Sequence, residues 1–133
     1  MGKTAAQLKK ELDRTFSVFI RVRDSRPNDT GRCCTCGTPI HHWLDAEAGH
    51  YISRTYTATR WDERNVHLQC VACNRYHGGS PHQYRDFLLF RYGEEVVAEL
   101  ERKKNEVVKL DTQWLEAKIL LFKRKTNEIF GKS

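Results

Sequence analysis

Two pairs of cysteines, Cys33-x-x-Cys36 in "CCTCG" and Cys70-x-x-Cys73 in "CVAC", have the spacing in which a short loop presents two thiolates to one ion. Two such pairs complete a tetrahedron, so a closed, structural zinc site is expected at Cys33, Cys36, Cys70 and Cys73. Disulfides would need an oxidising compartment, and the five cysteines leave Cys34 spare. Between the pairs, "DAEAGHYISR" (45–54) sets His50 among small and apolar residues. A half-buried packing histidine is the ordinary explanation for such a residue. Here it is followed in order by Asn65, by Asn74 directly after the last cysteine, and by His77. An imidazole titrates near neutral pH and so can hold or release a proton there.

Several elements must position these groups. Thr4-Ala5-Ala6-Gln7 reads as a capping box, and Leu8, Leu12, Phe16, Phe19 and Ile20 recur behind it at helical spacing, which predicts a helix over 5–23. "DSRPNDTGR" is a loop, and 33–79, with its cysteines and histidines, is expected to hold short strands and loops. Ser80 as N-cap and Pro81 at the first helical position open a helix that stops near Tyr92-Gly93. Val96, Val97, Leu100 and Val107 are expected on one face of the next helix. Asp111 or Thr112 caps a last one, with Leu115, Ile119, Phe122 and Ile129 as its stripe. Such a stripe is either core or, at spacings of four, three and seven, a seam between two copies of the chain.

The chain has 133 residues, which is enough for one domain. It carries a net charge of +6, from 23 Lys and Arg against 17 Asp and Glu. That balance suits a polyanionic partner without requiring one. From His50 to Arg91 there are six arginines, no lysine and three acids. A planar guanidinium fits phosphate better than an ammonium does, which makes Arg54, Arg60, Arg64, Arg75 and Arg85 candidate phosphate contacts. A salt-bridged surface is the other reading. His41 and His42 read as loop residues. His67 shares strand parity with Asn65 and is either structural or part of the site. Trp43, Trp61 and Tyr56 either pack against the zinc loops or stack on unpaired bases. No apolar run approaches the roughly 20 residues that span a bilayer. The start has no signal-peptide segment and Ala6 breaks the myristoylation pattern, so a cytoplasmic location is expected, the host's if the chain is phage-encoded.

The order His50, Asn65, Asn74, with a CxxC at its end, resembles the HNH nucleases. That resemblance implies a ββα-metal core, with His50 as general base, Asn65 as the amide that orients it and Asn74 as a metal ligand. HNH nucleases often have an acid or histidine directly before the base, where this chain has Gly49. Glu47 and Asp45 are the nearest carboxylates, and His77 could serve from the helix. "AGHY", "ERNVHLQCVACN" and "YRDFLLFRYGEEVVAEL" are more specific, and over residues 12–102 they resemble the phage lambda NinG (Rap) recombination endonuclease family. In that family lambda's own member carries a longer, basic N-terminal part.

The resemblance implies an α+β fold in a single domain, 1–133. It consists of a zinc-stapled HNH-like core at 33–79, the helix at 5–23 and C-terminal helices over 80–130. It also implies a Mg²⁺- or Mn²⁺-dependent endonuclease for branched DNA such as Holliday junctions and D-loops. Cleavage of plain duplex DNA and a silent zinc-ribbon DNA-binding module are the alternatives. Phosphodiester hydrolysis needs a base near pH 7 and a cation for the developing charge. Gly49, beside the base, would leave room for a backbone phosphate. A junction is resolved by two symmetric cuts, so a homodimer is expected, with no membrane partner.

Overall fold

The computed structural model describes residues 2–25 and 30–131. Helix α1 runs Ala5–Asp24. Its start is set by the capping box: Thr4 Oγ1 accepts from the Gln7 N–H at 3.2 Å and Gln7 Oε1 accepts from the Thr4 N–H at 2.9 Å. The stripe Leu8, Leu12, Phe16, Phe19 and Ile20 is buried against Leu115, Ile119 and Phe122 of the last helix, α5 (Thr112–Gly131). Phe16 meets Phe122 edge to face, with ring centroids 4.8 Å apart. The face expected to join two chains is therefore consumed inside one. Asp111, rather than Thr112, starts α5, its carboxylate accepting from the Trp114 N–H at 2.8 Å.

Across this helix pair lies an antiparallel strand pair, β3 (Glu47–His50) and β4 (Val66–Gln69), with Glu47 opposite Gln69 and His50 opposite Val66. A smaller pair, β1 (Gly31–Arg32) and β2 (Pro39–Ile40), precedes it. Helix α2 (Thr57–Arg60) lies in the connection from β3 to β4, and a π-helical turn, Ala72–Tyr76, follows β4. The architecture is mixed helix and small sheets.

Helix α3 (Pro81–Tyr92) begins at proline and ends at Gly93, whose φ of 91° lets the chain turn at once into α4 (Glu94–Lys103). Ser80 sits in the left-handed region without a side-chain capping bond, so Pro81 alone marks the start. Tyr84, Leu88, Val97 and Leu100 close a second core over Ile52. Val107 lies beyond α4 and is fully exposed, because the helix ends before "NEVV" can extend its face. Among the described residues no helix is long and apolar enough to cross a membrane.

Candidate active site and metal centre

The hairpin of β1 and β2 supplies Cys33 and Cys36; the end of β4 and the π-helical turn supply Cys70 and Cys73. All four sulfurs lie within 4.8 Å of one another, and Cys36 Sγ is 3.8 Å from Cys70 Sγ. Tetrahedral ligation with metal–sulfur bonds of about 2.3 Å requires sulfurs about 3.8 Å apart, so the cluster fits a metal such as zinc. Cys34 stays out of it. Burial, reinforced by the nearby Cys33, raises its thiol far above the usual range and keeps it protonated.

His50 closes β3 and lines a groove of about 830 Å³ between α1, β3 and the loop at Gly78 and Gly79. Its Nε2 lies 2.8 Å from the carbonyl oxygen of Arg60. A carbonyl only accepts, so Nε2 carries the proton and Nδ1 the lone pair. Burial pushes the imidazolium down to about 4, although the Arg60 carbonyl acts the other way, and the ring is neutral at pH 7.

The Arg60 carbonyl is itself held from two sides. Asn65, wholly buried, donates from Nδ2 to the carbonyls of Ile52 (3.0 Å) and Thr59 (3.1 Å) and accepts from the Ile52 N–H (2.8 Å). From α1, Asp13 accepts from Arg60 Nε and Trp61 Nε1, both at 3.0 Å, and from Arg60 Nη2. Asn65 therefore does not touch the imidazole. A middle amide was expected to orient the base by contact, but its three bonds go to the loop backbone.

Glu47 and Asn74 line the same groove, with Asn74 Nδ2 donating to Glu47 Oε1 at 2.8 Å. Arg75 reaches the other carboxylate oxygen. Against the burial that would raise it, Arg75 and Asn74 hold the Glu47 carboxyl below its usual range. Asp45, on the turn before β3, is exposed and does not line the groove. His77 lies on the other side of the π-helical turn, beside Cys36, Cys70 and Cys73. That turn sends Asn74 and His77 to different faces, so His77 is not brought to His50.

Several expected phosphate contacts are taken up inside the chain. Arg60 is spent on Asp13, and Arg64 on Asp62 and Glu99. Arg85 pairs with Glu101 on the far helices. Arg54 and Arg75 remain at the groove.

His67 is a core residue: its Nε2 meets the Tyr92 hydroxyl at 2.8 Å, and burial pushes its pKa down to about 3. Trp61 packs in the first core beside Trp114, while Trp43 lies under Arg21. The space at Gly49 admits no phosphate. A Cβ there would fall 1.9 Å from Gln69 Oε1, so glycine is required by the neighbouring strand's side chain.

Asp13, Ser17 and Arg21 of α1 also line the groove and went unremarked in the sequence. Their spacing of four along the helix's polar side is the signal that could have found them. Tyr84 is another such residue: its hydroxyl, on α3, donates to the Gly49 carbonyl at 2.5 Å, one residue before His50.

A family model described as "Bacteriophage Lambda NinG protein" matches residues 2–130. "Protein ninG" of Escherichia phage 933W is 41% identical over 99 residues, covering 72% of this chain and 45% of the relative. The Escherichia phage lambda protein of the same name is 40% identical over 99 residues, with the same coverage. That of Salmonella phage P22 is 41% identical over 95 residues, 69% of this chain and 43% of the relative. The chain thus spans about half the length of the curated relatives it matches. No solved structure matches it.

Proposed function

The chain belongs to the NinG family, and on that footing we propose that it is a divalent-metal-dependent endonuclease that cuts branched DNA, Holliday junctions and D-loops among them. The observation that carries this reading is His50: a neutral imidazole with Nε2 tied to a backbone carbonyl, opening on a groove shared with Glu47, Asn74, Arg54 and Arg75. A packing histidine would be expected to satisfy both nitrogens in the core, as His67 does with Tyr92 and Tyr84.

The donor set near His50 fits Mg²⁺ or Mn²⁺ rather than zinc. It offers the carboxylate of Glu47 and the amide of Asn74, and magnesium takes one or two protein oxygens and fills the rest with water and phosphate. To hold such an ion, the Asn74 amide would turn over to present its oxygen, and Arg75, which is largely exposed, would exchange Glu47 for a phosphate. Such an ion would stabilise the developing charge and the leaving oxygen and lower the pKa of a bound water. A base as weak as His50 would be suited to such a water, with Nδ1 free to take a proton while Nε2 stays on the Arg60 carbonyl. The four cysteines hold zinc and pin the β1–β2 hairpin to the turn that carries Asn74 and Arg75.

Two symmetric cuts in one junction call for two copies of this site, and since Leu115, Ile119 and Phe122 are buried against α1, the dimer uses another face. A competition experiment tests the substrate class. With Mg²⁺ present, a four-way junction, a flap and a linear duplex of matched length are offered together. Preferential cutting of the junction is expected; equal rates on all three would reduce the reading to a plain duplex nuclease, and no cutting would refute it.

A further inference from the structure

The arginines around the groove and the cores differ in what they lie against. Arg23, Arg60, Arg64, Arg75 and Arg85 each lie against a carboxylate. Arg14, Arg21 and Arg54 form no salt bridge among the described residues, although Glu47 attracts Arg21 from across the groove, and they converge on one concavity of about 350 Å³ with Asp13, Ser17 and Val18. Asp13, the one acid there, is saturated by Arg60 and Trp61. This concavity continues the groove at His50, for Asp13, Ser17, Arg21 and Arg54 line both.

Three cations without a salt-bridge partner beside one concavity repel one another, a repulsion that an anion sharing the site would relieve. Arg21 is additionally held in place, its Nε donating to the Ser17 carbonyl at 3.2 Å and its guanidinium lying 5.0 Å from the Trp43 ring centre. From Arg14 to Arg21 the helix advances roughly 10 Å, about three steps of one DNA strand at ~3.4 Å of axis each.

We propose that the outer strip of α1, with Arg54 facing it, is a phosphate track that holds the DNA backbone next to the cut. It rests on the endonuclease reading for its partner, but not on α1 doing any chemistry. The backbone would run from Arg14 past Arg21 and Arg54 to His50, so α1 serves the core on its inner face and nucleic acid on its outer one.

Binding of a fluorescent four-way junction, followed by anisotropy across a salt series with chelator present and no magnesium, tests this without any cutting. Arg14→Gln and Arg54→Gln should each lower the slope of log K against log salt by about one. Arg102→Gln removes the same charge from α4, away from the groove, and should leave the slope unchanged. Equal slopes in wild type and both track variants, or an equal fall in Arg102→Gln, would overturn the track, as would a wild type that binds no junction. Circular dichroism and zinc content confirm that each variant is folded. If the slopes fall as expected but magnesium brings no cleavage, the nuclease reading fails and the track stands. Cleavage with unchanged slopes has the opposite meaning.

Discussion

At His50 a single hydrogen bond decides which nitrogen can act. The Arg60 carbonyl takes the Nε2 proton, which leaves Nδ1 as the only basic atom of the ring. Burial then keeps the ring uncharged. Because folding lowers the pKa of His50 to about 4 and of His67 to about 3, the folded chain binds fewer protons than the unfolded one below about 6.5. Their contribution to stability is whole above that pH and is lost as the pH falls toward 4 and then 3. Imidazole resonances followed by NMR from pH 8 to 5 should show both rings neutral throughout. An inflection near 6.5 at His50 would mean that the ring is solvated and that the burial argument is wrong. The residue types of this site were legible in the sequence, and so was their order. Their partners were not: Arg60 and Arg64 look like any other arginine until Asp13 and Glu99 arrive from elsewhere in the chain. Likewise, the need for glycine at position 49 comes from Gln69 on the facing strand.

The elements show why Asn65 matters without touching His50. It ties Ile52, just after β3, to Thr59 in α2, and so sets where the next residue's carbonyl meets His50. Asn65→Ala would leave the N–H and the carbonyl of Ile52 unpaired in a buried place and remove one bond from the Thr59 carbonyl, and should lower the unfolding free energy by about 2 kcal/mol. It should also reduce kcat more than KM; denaturant unfolding and steady-state cleavage check the two parts. Unchanged stability would mean that water replaces the amide and the loop is not held as described.

Element boundaries were legible where local chemistry sets them, at the Thr4 capping box and at Pro81. They failed where only a pattern of apolar residues was available, as at Val107, because a helix continues only while something covers its face. The separation of Asn74 from His77 depends on a π-helical turn, which widens the repeat and which no spacing rule for an ordinary helix anticipates.

For the whole molecule, the stripe of the last helix, which could equally have met a second copy of the chain, meets the stripe of the first helix. Leu8, Leu12, Phe16 and Phe19 on α1 take up Leu115, Ile119 and Phe122 on α5, closing first helix on last around the strand pair. Phe122→Ala should therefore cost ~3–5 kcal/mol of stability, as for any large core aromatic, and leave the sedimenting species unchanged. Dissociation without loss of stability would return this face to an interface role. That closure also brings the polar strip of α1 to the wall of the groove, which makes the helix part of the site as well as of the core.

The central claim is that His50 and an added divalent ion together cut DNA, with zinc as a separate structural component. It is tested most directly by single-turnover cleavage of an end-labelled four-way junction. The protein is freed of loosely held ions, shown to retain one zinc per chain, and assayed without and then with Mg²⁺. Cleavage should appear only when Mg²⁺ or Mn²⁺ is added, and His50→Ala should slow it ~10²–10⁴-fold while junction affinity is kept. Full cleavage with zinc alone, or an undiminished rate in His50→Ala, would contradict the account.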